Sequence, residues 1–120
     1  WLLMAWDLVL DPAMAHPELP IRFWVWHERG AYLGMPIINL VGWTVCGALF
    51  MGGARWLWGA EVDVERVPAA FPFVVYAVNV GFGVVLCATL GLWSAIALAF
   101  VAGLAPAALA LRGSSSAPTG

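Results

Sequence analysis

The chain has 120 residues, 63% hydrophobic and 10% charged, with a mean hydropathy of +0.91 and a net charge of −2. Soluble proteins carry roughly 25% charged residues, so this chain cannot build a water-facing surface, and a soluble enzyme and a basic nucleic-acid binder are both excluded. An integral membrane protein remains, with too little net charge to imply an ionic partner.

Trp1–Leu10 is apolar apart from Asp7. It has neither the charged leader nor the A-x-A pattern of a signal peptide. It reads as the last turns of a membrane helix whose beginning is missing, or as a short interfacial helix. Pro12 is expected to end that helix at or near Asp11, because the residue before a proline is pushed out of the helical region. The following segment, Asp11–Tyr32, holds Asp11, His16, Glu18, Arg22, His27, Glu28 and Arg29 among three prolines and two tryptophans. It is expected to be mostly irregular and interfacial.

Leu33–Trp58 carries only Arg55 as a charge. About 20 apolar residues are needed to cross roughly 30 Å of hydrocarbon, so this stretch suffices for one span. Val67–Leu111 carries no charge at all, is too long for one span and is long enough for two. Leu90-Gly91-Leu92 is the expected turn, giving spans at 68–89 and 93–111 that are antiparallel neighbours. Between the first two spans lies Gly59–Val67, with Glu61, Asp63, Glu65 and Arg66. The Gly/Ser/Pro-rich tail, 113–120, reads as disordered. The expected fold class is therefore all-α: one integral membrane unit, residues 1–112, of about three transmembrane helices plus an N-terminal helix remnant. Arg22 and Arg29 fall on one side of the membrane; Arg55, Arg66 and Arg112 fall on the other, which the positive-inside rule places in the cytoplasm.

Small residues recur every four positions: Ala95, Ala99, Gly103 and Ala107, then Gly83, Cys87 and Gly91. Such stripes let helices approach closely in lipid, although Ala and Gly are common in membrane helices in any case. Cys46 and Cys87 both sit in apolar runs with no ligand spacing, behave as small hydrophobes and point to no metal.

Asp7 and Asp11 are four residues apart and share a helix face. Carboxylates near membrane depth are solvated, paired or functional. One reading has Asp11 snorkelling into water and Asp7 paired with Arg22 or Arg29. The other makes them a general acid with its partner, because burial and like charge both favour the protonated form that an acid requires. Asn39 and Trp43 share a face one turn into the first span. Asn39 either bonds another helix or orients a water or an acid, and Asn79 in the next span invites the same two readings. Trp1, Trp6, Trp56, Trp58 and Trp93 lie near span ends, where interfacial belts account for most tryptophans. The alternative is that some rings line a pocket for a polyene-like ligand and stabilise a passing carbocation.

Trp6-Asp7-Leu-Val-Leu-Asp11-Pro12, Trp24 and Trp26, and the run from Gly30 through Tyr32 to Trp43 together resemble the membrane carotenoid hydratases, which act on acyclic carotenoids of the bacterioruberin and spirilloxanthin type. Tyr76-Ala-Val-Asn79 and the Leu90-Gly91-Leu-Trp93 turn fit the same family, so the resemblance covers residues 1–111. Family members are longer, and the chain looks like their C-terminal half. The resemblance implies a multi-pass protein of the bacterial inner membrane that adds water to a terminal isoprenoid double bond. No metal or organic cofactor is implied, and carotenoid is the substrate or a bound pigment. Chemistry then assigns Asp7 as acid, Asp11 as its partner or the base that orients water, and Asn39 as a water-positioning residue. Trp6, Trp24 and Trp43 are candidate cation-facing rings, and Trp26, Tyr32 and Asn79 complete the candidate substrate-binding set.

A second reading is a non-catalytic transmembrane subunit that scaffolds or binds carotenoid in a larger photosynthetic pigment–protein complex, alongside other membrane subunits. His16 and His27 lie in a charged loop, where a solvated or salt-bridged histidine is the ordinary outcome, and the spans contain no histidine for a pigment metal.

Overall fold

The computed structural model describes residues 1–59, 67, 68 and 70–115. Its helices are α1 (Leu2–Met14), α2 (Ile37–Trp58), α3 (Ala70–Thr89) and a final rod. The rod comprises α4 (Trp93–Leu98), a π-helical segment (Ala99–Leu104) and α5 (Ala105–Ser115). α2, α3 and the stretch Trp93–Gly113 are each long and apolar enough to cross a membrane. α1, at 13 residues, reaches only about 20 Å at 1.5 Å per residue. The fold is thus all-α, with three span-length helices and a shorter N-terminal helix. Glu61, Asp63, Glu65 and Arg66 of the second polar segment, and the end of the tail, lie outside the described residues.

α1 is the hub. It packs against α2, α3 and the final rod. Val9 and Ala13 of α1, Val80 and Cys87 of α3, and Ala95 and Ala99 of the rod form one wholly buried core. The small-residue stripes are what let α1 in. Ala95, Ala99, Gly103 and Ala107 are all buried, and Gly83 lies so close to α1 that a Cβ there would stand 2.9 Å from Val9 Cγ1. The Cys87 thiol donates to the Val9 carbonyl at 3.0 Å.

Gly91, the last member of its stripe, is exposed and ends α3 instead. Its φ is +69°. The Leu92 N–H reaches the Cys87 carbonyl at 2.9 Å and the Gly91 N–H reaches that of Ala88 at 3.3 Å. These are the two bonds of a Schellman stop, which needs the left-handed residue that glycine supplies without a Cβ penalty. α3 and the final rod therefore meet where the sequence places the turn.

The first span begins at Ile37, four residues later than the run of apolar residues suggests. Gly30–Met35 forms a tight turn with antiparallel bridges Gly30–Gly34 and Tyr32–Met35. Leu33 and Gly34 have φ of +49° and +88°, which no right-handed helix accommodates. Pro36 is the N-cap, with an extended ψ of 137°. No residue of α2 is buried, and among the described residues its extended helix contact is with α1.

Two helices carry an interior proline. Pro12 does not end α1 near Asp11 as expected; the helix continues to Met14. A proline removes the bond to the carbonyl four residues back, and here the Tyr32 hydroxyl supplies that bond, donating to the Leu8 carbonyl at 2.8 Å. Pro106 lies in α5 and has no N–H to offer the Ala102 carbonyl four residues back. The Trp1 indole N–H donates to it at 2.8 Å. The rod loosens ahead of Pro106 into its π-helical segment, and the Ala105 N–H reaches back five residues to Phe100, a common response to an interrupted ladder.

Candidate functional site

Asp7 and Asp11 lie on the face of α1 turned toward α2, one helical turn apart. Asn39, on the first turn of α2, meets both. Its Nδ2 donates to Asp7 Oδ2 at 2.9 Å and to Asp11 Oδ2 at 2.7 Å. One amide thus spends both of its hydrogens on two carboxyl groups. The carboxyls are hydrogen-bonding neighbours of each other, and the Trp43 indole is a further neighbour of both. Met35 Sδ, one turn before Asn39, lies 3.3 Å from the same amide nitrogen.

The pair is sealed: Asp7 is 2% exposed and Asp11 4%. Burial replaces the solvation expected of Asp11 beside Pro12, because α1 continues past it. Pairing of Asp7 with Arg22 or Arg29 is also replaced, by Asn39. The two arginines line an outer cavity with His16 and Glu28.

A cavity of about 290 Å³ adjoins the pair, lined by Asp11, Trp24, Val25, Trp26, Asn39 and Trp43. Asp11, not Asp7, forms its wall. The Trp24 and Trp26 rings meet edge to face, with centroids 6.4 Å apart and planes at 73°. Their indole nitrogens are buried without a hydrogen-bond partner among the described residues.

Trp6 and Asn79 lie elsewhere. Trp6 is one residue, or about 100°, around α1 from Asp7, and faces α3. Its indole N–H donates to the Asn79 backbone carbonyl at 3.3 Å. The Asn79 amide turns back on its own helix, donating to the Val75 carbonyl at 2.8 Å, and so bonds no other helix through its side chain among the described residues. Both residues line a separate, largely apolar groove of about 550 Å³ with Leu3, Phe71, Val75 and Tyr76. Tyr32 touches neither cavity; its hydroxyl is committed to Leu8. Sequence reasoning does not single out Met35. It lies in the turn before the N-cap of α2, so no helical spacing marks it. Among the described residues no cluster of three or more metal-ligating side chains occurs.

Six of the nine candidate residues thus converge: Asp7, Asp11 and Asn39 as a hydrogen-bonded cluster, with Trp24, Trp26 and Trp43 beside it. Such a constellation offers a sheltered proton donor and aromatic walls, facing a space of end-group size. The family model for carotenoid biosynthesis proteins matches residues 1–106, which includes every one of these positions. No curated protein and no solved structure matches the chain. By that match over most of its length, the chain belongs to the carotenoid biosynthesis protein family.

Proposed function

We propose that the chain is a carotenoid hydratase of the cell inner membrane, adding water to the terminal double bond of an acyclic carotenoid. The observation that carries this reading is the single Asn39 amide bridging two buried carboxyl groups at the wall of a tryptophan-lined cavity. Two carboxyls so close in an apolar site favour one retained proton, since burial opposes the first ionisation and like charge opposes the second. A neutral carboxylic acid is the donor that alkene hydration needs.

The carboxyl O–H breaks and its proton forms a C–H bond at the less substituted alkene carbon. The alkene π electrons supply that bond, leaving a tertiary cation. A water oxygen bonds to the cation and gives one proton back to the carboxylate. Water is consumed, the acid is regenerated and a tertiary alcohol forms. Asp11 lines the cavity, which supports it as donor, with Asp7 behind it as the partner that holds the proton in place. The faces of Trp24, Trp26 and Trp43 suit a passing cation. A cavity of about 290 Å³ suits an isoprenoid end group with a water, whose share of volume is about 30 Å³. The rest of the polyene lies outside it.

The test uses the full chain reconstituted in vesicles with an acyclic carotenoid and ¹⁸O-labelled water, the product read by mass spectrometry. The unaltered chain is expected to incorporate one ¹⁸O. Asp11→Asn and Asp7→Asn are each expected to lose at least about a hundredfold in rate and to retain bound carotenoid. Full activity in both variants overturns the assignment of the acid. A carotenoid-holding subunit is the second reading, favoured by α2, most of whose surface faces away from the other described helices and none of whose residues is buried. It gains if the unaltered chain binds carotenoid and leaves it unhydrated.

A further inference from the structure

Leu8 adjoins Asp7 in the chain, and Pro12 adjoins Asp11. The Leu8–Pro12 turn is therefore the one that sets how far apart the two carboxyls stand, and it is the turn whose backbone bond the proline removes. The Tyr32 hydroxyl fills the gap at 2.8 Å. The turn that presents Tyr32 is itself tied down. The Met35 N–H donates to the Tyr32 carbonyl at 2.8 Å, and the Gly30 N–H to that of Gly34 at 3.0 Å. Met35 is fully buried and touches the Asn39 amide. One short turn therefore grips α1 through Tyr32 and the start of α2 through Met35. Burial, with smaller effects from Cys87 and Asp7, pushes the Tyr32 hydroxyl up to about 12, so it remains a neutral donor.

We infer that Tyr32 is a positioning residue for the Asp7–Asp11 pair: it replaces the amide hydrogen that Pro12 lacks and thereby fixes the turn of α1 on which both carboxyls meet Asn39. This goes beyond a substrate contact, and it rests on the hydratase reading only for what the pair is used to do. Trp1 and Pro106 show a parallel arrangement, an aromatic donor on the carbonyl four residues before a helix proline.

The experiment exploits the composition. The chain has two asparagines, Asn39 and Asn79, and no glutamine. A chain labelled with ¹⁵N-asparagine in nanodiscs therefore shows two side-chain amide pairs, one at the site and one remote from it. Tyr32→Phe is expected to move the Asn39 pair by more than a linewidth and to leave the Asn79 pair in place. Pro12→Ala restores the missing N–H, so Tyr32→Phe in that background is expected to leave the Asn39 pair unmoved. In the hydration assay Tyr32→Phe is expected to lower kcat by up to about a hundredfold through misplacement alone, with KM nearly unchanged and the rate recovered in the Pro12→Ala background. A substrate-contacting tyrosine predicts the same loss in both backgrounds, and that result overturns the inference. An unmoved Asn39 amide in Tyr32→Phe overturns it also. If Tyr32→Phe alone fails to fold, the double variant is expected to fold, and its failure counts against the inference. An unaltered chain that hydrates nothing, with the amide pattern as expected, sinks the hydratase reading and leaves Tyr32's role standing.

Discussion

The indole nitrogen of Trp1 donates to the carbonyl of Ala102 at 2.8 Å, across 101 residues of sequence. Ala102 lies four residues before Pro106, which has no N–H to give its carbonyl. The bond ties the start of α1 to the weakest turn of the final rod, where the helix has already widened to a π pattern. In hydrocarbon no water is available to take the place of the indole N–H. Trp1→Phe is expected to destabilise the fold by about 1 kcal/mol, the net worth of one hydrogen bond. In a Pro106→Ala background the same substitution is expected to cost little, because the backbone N–H gained by that replacement then serves Ala102. Denaturant unfolding of the four variants in one lipid system measures the coupling, and equal losses in both backgrounds would contradict it.

Asn39→Leu removes the only amide that serves both carboxyls while keeping a similar volume. Two buried carboxyl groups then lose a hydrogen-bond donor each, and the expected loss of stability is about 2–3 kcal/mol. Asn39→Asp adds a third carboxyl to the cluster and is expected to be the worse of the two near neutral pH, where like charge is hardest to accommodate. Thermal unfolding of both variants, with hydration measured below the transition, checks the order. An Asn39→Leu protein as stable as the parent would mean that the amide bridge contributes nothing.

The helix plan was legible because charge-free length and Gly91 are both strong signals. Val67–Leu111 has no charge, and the turn at Leu90-Gly91-Leu92 sits where a left-handed residue is available. The Asp7/Asp11 face was legible from spacing alone. What lay beyond the sequence was each partner across the chain. Nothing local says that Asn39 faces α1 while Asn79 folds back on its own helix, since both are amides in apolar runs. The continuation of α1 through Pro12 was missed for a related reason. The local rule for prolines is correct, but the hydroxyl that overrides it comes from Tyr32, 24 residues away from Leu8. Trp6 stands beside Asp7 in the chain, yet a helix turns adjacent residues to different neighbours, and Trp6 meets α3 instead.

Gly30 and Gly34 belong to one turn but resist substitution for different reasons. A Cβ on Gly30 would overlap the Met35 carbonyl, whereas a Cβ on Gly34 meets nothing, and only its φ of +88° opposes a side chain. Gly34→Ala is expected to cost about 1–2 kcal/mol, the left-handed penalty alone. Gly30→Ala is expected to cost more, as for an overpacked site that cannot relax. It should also displace Tyr32 from Leu8, because the overlapped atoms belong to Met35, the bridge partner of Tyr32. Amide exchange of the Gly30–Met35 backbone distinguishes the two. Faster exchange in Gly34→Ala than in Gly30→Ala would contradict the steric argument.

Gly81 and Gly83 stand two residues apart on α3 and are expected to respond in opposite directions. Around Gly81 there is open space among the described residues, so Gly81→Ala adds a good helix former with no clash. The expected effect is a gain of about 0.5–1 kcal/mol. At Gly83 the added Cβ would stand 2.9 Å from Val9 Cγ1 and 3.5 Å from the Leu10 amide nitrogen. Val9 is β-branched and has little rotamer freedom in a helix, and it is wholly buried, so α1 itself must yield. The expected loss is about 1–3 kcal/mol. The direction of that yield matters for function. Val9 lies between Asp7 and Asp11, and α1 pushed off α3 moves toward α2, where Asn39 bridges the pair. Gly83→Ala is therefore expected to lower the hydration rate of the folded protein, and Gly81→Ala to leave it unchanged. Unfolding and hydration measured on both variants decide the matter: a Gly83→Ala protein as stable and as active as its Gly81→Ala counterpart would show that the close approach of α1 to α3 does not set the site.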